Sequence, residues 1–386
     1  MKVPNKLLRQ LETRAQKGIQ RQLTTVAAGL IDFSSNDYLG LAQSSRLATA
    51  VAHELADNPA HGATGSRLLS GNSAFAQELE DTIANVHDAE AALLFNSGYA
   101  ANTGFFSSVP QRGDTIFYDE YSHASIKDGI RLSFAQSYPF RHNDVQDLRQ
   151  KLSRAQGDVY VVVESLYSMD GDFAPLPELA ALSQEQGLYL VVDEAHTNGL
   201  FGLNGSGLVT ELGLQQQIFA RTMTFGKALG CHGAAIVSSK ILQQFLLNFS
   251  RPFIYTTALP LASLSAIKQA YRLLPELEME REKVQQLSIL YRELQKDSNV
   301  LAPFSEKQAK NSPIQAWHLP EPQALRHLAA VLQANGLDVR PVFSPTVPAG
   351  KERLRIVLHA FNTQEQVQQL WNLLIQFHPK DISLQV

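Results

Sequence analysis

The sequence predicts an α/β protein: a large domain on a mostly parallel sheet of about seven strands, an N-terminal arm, and a smaller α+β domain at the C-terminal end. Three observations carry this. Short apolar runs alternate with stretches of helical spacing between about residues 90 and 240. Several runs, such as Tyr160-Val161-Val162-Val163, are apolar on both faces. Near residue 260 the composition shifts to Leu, Ala, Glu, Gln and Arg, with few Gly or Pro. A strand apolar on both faces belongs in a sheet covered on both sides by helices, which is the usual state of a parallel sheet. The expected segments are 1–35, 36–262 and 263–386.

In the arm, Leu7, Leu8 and Leu11 recur at helical spacing, with Arg9, Arg14 and Lys17 on other faces and Arg21 just beyond. Expected strands are 91–95, 115–118, 137–140, 160–163, 188–192, 222–225 and 234–237, most of them bounded by Gly, Asp, Asn or Pro. Stretches 145–155 and 176–186 have helical spacing between strands. Residues 261–300 read as long helix. Beyond residue 312, short strands at 314–317 and 354–358 mix with helices at 322–335 and 364–377. There is no internal repeat.

Composition narrows the function classes. At 386 residues, 44% apolar and 18% charged, the chain is globular and not intrinsically disordered. Lys plus Arg number 33 against 37 Asp plus Glu, so there is no broad basic field for a nucleic acid. The single cysteine, Cys231, excludes a disulfide framework within the chain and disfavours a Cys-based zinc site; no metal is expected. No signal-peptide core follows Met1-Lys2-Val3-Pro4-Asn5-Lys6, and no run approaches the ~18 apolar residues of a membrane span. A soluble cytoplasmic protein is expected, with no nucleic-acid or membrane partner.

Several motifs carry chemistry. In Thr224-Phe225-Gly226-Lys227-Ala228-Leu229-Gly230, a lysine follows an apolar strand. It is either a surface lysine in a turn or a pocket amine able to form a Schiff base with an aldehyde cofactor. In Val191-Val192-Asp193-Glu194-Ala195-His196, Asp193 ends a strand where α/β sheets bind ligands. A carboxylate there suits a pyridinium nitrogen, and His196 suits a phenolic oxygen. The rival reading of Asp-Glu-Ala-His as a helicase box requires a phosphate loop, and position 221 is Arg and 228 is Ala where that loop needs Gly and Ser or Thr. Ser97-Gly98-Tyr99 precedes an expected helix whose free N–H groups suit a phosphate. In Tyr121-Ser122-His123, Ser122 reads as the helix cap, which puts His123 in the first turn, either facing a cofactor ring or as an ordinary packing or surface histidine. The polar stretch from Glu164 to Asp172 reads either as a capped turn or as part of the same ligand-binding edge.

Together these stretches resemble the α-oxoamine synthases, which share the aspartate-aminotransferase fold and use pyridoxal 5'-phosphate. The resemblance extends to Phe33-Ser34-Ser35-Asn36-Asp37-Tyr38-Leu39-Gly40-Leu41, Gly65-Ser66-Arg67-Leu68-Leu69-Ser70-Gly71 and Pro345-Thr346-Val347-Pro348-Ala349-Gly350, and so spans nearly the whole chain. It implies that Lys227 carries the cofactor and then acts as acid and base. It implies Asp193 at the pyridine nitrogen, His196 at the phenolic oxygen and His123 stacked on the ring. Gly98 and Tyr99 would hold the phosphate, with Ser168 and Thr224 as further cofactor contacts. Asn36 and Arg355 would hold an amino-acid carboxylate, and Arg21 and Thr346 the acyl substrate. Thr256 and Thr257 would reach the phosphate of a partner subunit, because family sites lie at a homodimer interface.

Gly230-Cys231-His232-Gly233-Ala234-Ala235 and Pro345-Thr346-Val347-Pro348 are most similar to the biotin-pathway branch. That branch joins L-alanine to pimeloyl-CoA, or to the pimeloyl-acyl-carrier protein, with loss of CO2. Glycine C-acetyltransferase, 5-aminolevulinate synthase and serine palmitoyltransferase are the alternatives within the family, and a non-catalytic subunit on the same fold is the alternative outside it. Two departures stand out: Thr197-Asn198-Gly199 after His196, and Val342-Phe343-Ser344 before Pro345. The second leaves the contact to the acyl carboxylate open, with Arg340 as one candidate.

Overall fold

The computed structural model describes residues 3–16, 18–21, 23, 25, 28–56, 62–297 and 311–378; Lys17 lies outside them. The chain divides into two units. The larger holds residues 36–286 and 359–361, and the smaller holds 1–35, 287–358 and 362–386. Residues 263–286 therefore group with the sheet rather than with the C-terminal segment. The reason is helix Leu261–Leu273, which packs on helices Ser45–Ala56 and Ala74–Val86 and buries Leu264, Ile267 and Ala270. The arm groups with the C-terminal residues because Ile31–Asp32 pairs in parallel with Leu337–Asp338.

Seven strands build the larger unit's sheet: β1 (Ala91–Phe95), β2 (Thr115–Asp119), β3 (Gln136–Phe140), β4 (Val159–Glu164), β5 (Tyr189–Asp193), β6 (Ala220–Thr224) and β7 (Ala234–Ser238). Their order is β1-β7-β6-β5-β4-β2-β3. Only β7 runs against the rest, antiparallel to both β1 and β6. The mostly parallel sheet expected from the apolar runs is present. Strands β1, β6 and β7 are buried at every position, as two covered faces require. Strand β3 differs: it lies at the edge and is largely exposed, and Pro139 is tolerated there because an edge strand can spare an N–H. One face of the sheet packs Leu93, Ile116, Val162, Val191 and Ile236 against Phe105 and Phe106 of helix Gly98–Phe106.

The region read as one long helix is two, Leu261–Leu273 and Glu278–Asp297, separated by a 3₁₀ turn at Leu274–Glu276. Pro275 has no N–H to donate back along the helix, so the ladder breaks there.

The smaller unit is α+β, as its composition suggests. Strands β8 (Ile314–His318), β9 (Arg340–Val342) and β10 (Arg353–Val357) form an antiparallel sheet in the order β9-β10-β8. Helices Pro322–Ala334 and Gln364–Gln376 bury Leu325, Leu328, Leu370 and Leu374 with Trp317 and Leu354 of that sheet. The second helix starts with a capping box, Thr363 with Gln366, which satisfies two end N–H groups reciprocally. Helix Asn5–Gln16 forms where the leucine spacing places it.

Candidate active site

Strands β2, β4, β5 and β6 all end on one edge of the sheet, at Asp119, Glu164, Asp193 and Thr224. A cavity of about 270 Å³ opens there, near the ~300 Å³ lower end of small-molecule sites. All four expected catalytic residues, Lys227, His123, Asp193 and His196, line it. Gly98, Tyr99, Thr224 and Asn36 line it too.

Asp193 is buried at the end of β5 and held at both oxygens. Oδ1 accepts the Ala195 N–H at 2.9 Å, and Oδ2 accepts Asn102 Nδ2 at 2.7 Å. Asn102 is itself fixed: its Nδ2 also donates to Ser125 Oγ at 3.0 Å, and its Oδ1 accepts the Thr222 hydroxyl at 2.9 Å. One buried amide thus joins helix Gly98–Phe106, strands β5 and β6, and the start of helix Ala124–Leu132. Asn102 is not among the residues expected from the sequence. The only local signal was its place five residues after the cap Ser97.

His196 Nδ1 lies 2.6 Å from the hydroxyl of Tyr38, a fully buried residue that the sequence reading also left without a role. His123 corrects the expected cap. It is His123, not Ser122, that caps helix Ala124–Leu132, with Nδ1 accepting the Ser125 N–H at 3.2 Å. Ser122 Oγ is buried without a hydrogen bond. Nδ1 as acceptor leaves the proton of a neutral ring on Nε2. Burial lowers the His123 pKa; Asp193 opposes that shift and Lys227 reinforces it.

Lys227 follows β6 in a tight turn, closed by Gly230 N–H to Lys227 O at 2.9 Å and Cys231 N–H to Phe225 O at 2.7 Å. Gly230 has a φ of +62°, and a Cβ there would lie 2.2 Å from Ala42 N, so only glycine completes the turn. Glu164 is a further carboxyl in the cavity wall. Burial pushes its pKa well above the ordinary range, Asp193 adds to the shift, and Lys227 opposes it.

Three expected cofactor residues do not line the cavity. Ser168 sits in the turn after β4. Thr256 Oγ1 and Thr257 O both accept from Asn96 Nδ2, at 3.0 and 2.9 Å. Arg21, Thr346 and Arg355 belong to the smaller unit, where Arg21 Nη2 donates to Thr346 Oγ1 at 3.1 Å. Arg340 Nε donates to Asp338 Oδ1 at 2.6 Å. The Thr197-Asn198-Gly199 departure has a packing role: Thr197 Oγ1 meets Ser165 Oγ at 2.8 Å, and Asn198 Nδ2 donates to Thr224 O at 3.0 Å.

Comparison with known proteins places this arrangement. Residues 28–374 match the model of the family described as aminotransferase class I and II. An 8-amino-7-oxononanoate synthase of Emericella nidulans is 43% identical over 382 residues, covering 92% of this chain and 91% of that protein. One from Lysinibacillus sphaericus is 36% identical, covering 93% and 94%. The chain belongs to the 8-amino-7-oxononanoate synthase family within the class I and II aminotransferases.

Among solved structures, serine palmitoyltransferase of Sphingomonas wittichii matches with a TM-score of 0.88 at 30% identity, covering 96% of both chains. The 8-amino-7-oxononanoate synthase of Francisella tularensis matches with 0.76 at 29%, covering 91% of this chain and 98% of that one. The shared fold spans both chemistries, so the higher sequence identities decide the branch.

The family's cofactor is pyridoxal 5'-phosphate. The cavity fits it. A carboxylate and an amine face one space, and the first N–H groups of helix Gly98–Phe106 have no partner within the helix. A Cβ at Gly98 would lie 2.5 Å from Thr224 Cγ2, so this helix start has room only for glycine.

Proposed function

We propose that this chain catalyses the decarboxylative condensation of L-alanine with a pimeloyl thioester, giving 8-amino-7-oxononanoate, CO2 and the free thiol carrier, a step of biotin biosynthesis. The observation that carries the reading is the convergence of Lys227, Asp193 and His123 on one cavity beside the Gly98 helix start, in a chain 43% identical to a protein of that name.

Bound pyridoxal 5'-phosphate supplies an aldehyde that condenses with amines and a ring that absorbs the electron pair left on an α carbon. Lys227 would supply the amine that holds it, and its Nζ would serve as the base that takes the alanine α proton and the acid that returns one. Asp193, oriented by Asn102 and the Ala195 N–H, holds a proton at the ring nitrogen. Tyr38 fixes His196 in the cavity wall, from which it would meet the phenolic oxygen, and His123 would stack on the ring. Asn36 and Arg355 hold the alanine carboxylate, for which a guanidinium's paired donors are suited. Arg21 and Thr346 receive the acyl chain, and Ser168 supports the cofactor.

A homodimer with a shared active site is part of the proposal, Thr256 and Thr257 serving the partner's phosphate. Leu69 and Tyr255 are exposed, and the segments that carry them are joined where Ala258 N–H donates to Gly65 O at 2.9 Å; apolar exposure of this kind suits an interface. Cytoplasmic location is also proposed; among the described residues no helix is long and apolar enough to cross a membrane.

The test is a product assay by mass spectrometry on cofactor-loaded protein. Alanine with pimeloyl-CoA, glycine with acetyl-CoA and serine with palmitoyl-CoA are run in parallel. A decarboxylated product from the first pair alone supports the reading; a product only from either other pair overturns it.

A further inference from the structure

Outside the cavity, one histidine ties the ends of β2 and β3 to the turn after β4. His142 lies two residues beyond β3. Its Nδ1 is 2.9 Å from Asp119 Oδ1, and its Nε2 is 2.6 Å from Asp172 Oδ2. Both aspartates are almost wholly buried. The ring stacks on Tyr121 at 4.6 Å and meets the edge of Tyr167 at 4.5 Å. The neighbouring Asn143, with a φ of +53°, adds three bonds to the same pair of loops. Its N–H donates to Asp119 Oδ2 at 2.9 Å, and its Nδ2 donates to Asp172 Oδ2 at 2.8 Å and Phe173 O at 3.1 Å.

A ring with a carboxylate at each nitrogen donates from both, and so carries a positive charge. Burial opposes that charge, but the bonds to Asp119 and Asp172 outweigh it and push the pKa up to about 10. Glu120 Oε1, which accepts the His142 N–H at 3.2 Å, Lys127, held at Glu120 O, and Glu164, which interacts with Asp119, also face this cluster.

Asp119 belongs to the loop that leads to His123, and Asp172 to the turn that follows β4, whose last residue, Glu164, is in the cavity wall. Asp119 ends β2 and organises the turn to His123: its Oδ1 accepts the Tyr121 N–H at 2.8 Å, and its carbonyl accepts the Ser122 N–H at 2.9 Å. Asp172 closes the turn that carries Ser168: its carbonyl accepts the Tyr167 N–H at 2.9 Å, beside the bridge between Leu166 and Phe173.

We propose that His142 is a positioning residue for the cofactor pocket: one charged ring, clamped between Asp119 and Asp172, holds the His123 loop and the Ser168 loop in fixed register. It touches neither substrate nor cofactor and acts through those loops. The inference rests on the proposed function for the identity of the cofactor, but not for the reaction.

The experiment compares the full-length parent with His142→Gln and Asp172→Asn. Folding is read by far-ultraviolet circular dichroism and thermal midpoint without cofactor. Pyridoxal 5'-phosphate affinity is read by titrating the visible absorbance, and cofactor rigidity by visible circular dichroism. Both folded variants are expected to bind pyridoxal 5'-phosphate about tenfold or more weakly, as loss of a charge-assisted bond implies. Visible ellipticity per bound cofactor should fall, and kcat should fall more than the KM for alanine rises. Cofactor affinity and ellipticity within twofold of the parent, in either folded variant, overturn the clamp. If His142→Gln does not fold, Asp172→Asn carries the test, since it keeps the shape and removes one charge. A parent that binds pyridoxal 5'-phosphate but turns over no substrate pair refutes the proposed reaction and leaves the clamp measurable. A parent that binds none overturns both.

Discussion

Replacing Asn102 with Ala removes three buried hydrogen bonds in one step. The bond to Asp193 Oδ2 at 2.7 Å is charge-assisted, a class worth ~1.5–3 kcal/mol. Those with Ser125 Oγ at 3.0 Å and Thr222 Oγ1 at 2.9 Å are neutral, at ~1 kcal/mol each. Asn102 is 3% exposed, so water does not readily replace the amide. Stability should fall by about 4 kcal/mol, within a range of about 3.5–5 kcal/mol. The cost does not stop at stability, because Asp193 keeps only the Ala195 N–H and loses the contact that aims its second oxygen. Pyridoxal 5'-phosphate should therefore bind about tenfold more weakly to the folded variant. Urea denaturation of the cofactor-free protein gives the first quantity, and titration of the visible absorbance gives the second. A stability change under about 0.5 kcal/mol with unchanged cofactor affinity refutes the view that this amide orients Asp193.

Other consequences follow from single contacts. Gly98→Ala puts a methyl group 2.5 Å from Thr224 Cγ2; overpacking of this kind costs ~1–3 kcal/mol, and the variant should lose pyridoxal 5'-phosphate on dilution faster than the parent. An unchanged release rate would show that the helix start is not where the phosphate sits. His87 is fully buried between Ser206 O and the Tyr271 hydroxyl; burial, reinforced by Arg221, lowers its pKa to about 3. The unfolded chain then takes up a proton below about pH 6.5 that the folded chain refuses, so stability falls as pH drops from about 6.5 toward 3. His87→Gln should flatten that slope in denaturation midpoints measured from pH 7 to 4.5, and an identical slope would count against it. Glu164 runs the other way, with its pKa raised by burial and Asp193 against the pull of Lys227. The folded state keeps a proton that the unfolded state releases above about pH 4.5, so the group costs stability as pH rises. Glu164→Gln should gain in thermal midpoint relative to the parent between pH 5 and 8, and a growing loss over that range would refute the assignment.

The two units differ in how well the chain announced them. Strands β4 and β5 were legible because Val161–Val163 and Leu190–Val192 are apolar at consecutive positions, a run that suits a strand covered on both faces. Strand β3 was legible as a strand but not as an exposed edge, since that depends on which strands pair beside it. The break in the long helix was written in one residue, Pro275, and lost in a region otherwise rich in helix formers.

The candidate site divides along the same line. Lys227, Asp193, Gly98 and His123 were found because each stands in a short stretch whose chemistry is local: a turn after a strand, an acid at a strand end, a glycine at a helix start. Their convergence on one cavity needed only the general rule that parallel strands end on one edge. What holds them in place was invisible. Asn102 meets Asp193 across 91 residues, Tyr38 meets His196 across 158, and His142 joins Asp119 to Asp172. Even the cap at residue 123 went to the histidine rather than the serine, because the ring turns back to Ser125. The sequence by itself determined the apolar periodicity, and with it the sheet and the edge that bears the chemistry. Tertiary structure alone decided which buried donors meet which acceptors, because a buried polar group must be satisfied by whatever the fold brings within about 3 Å, and no local period encodes that partner.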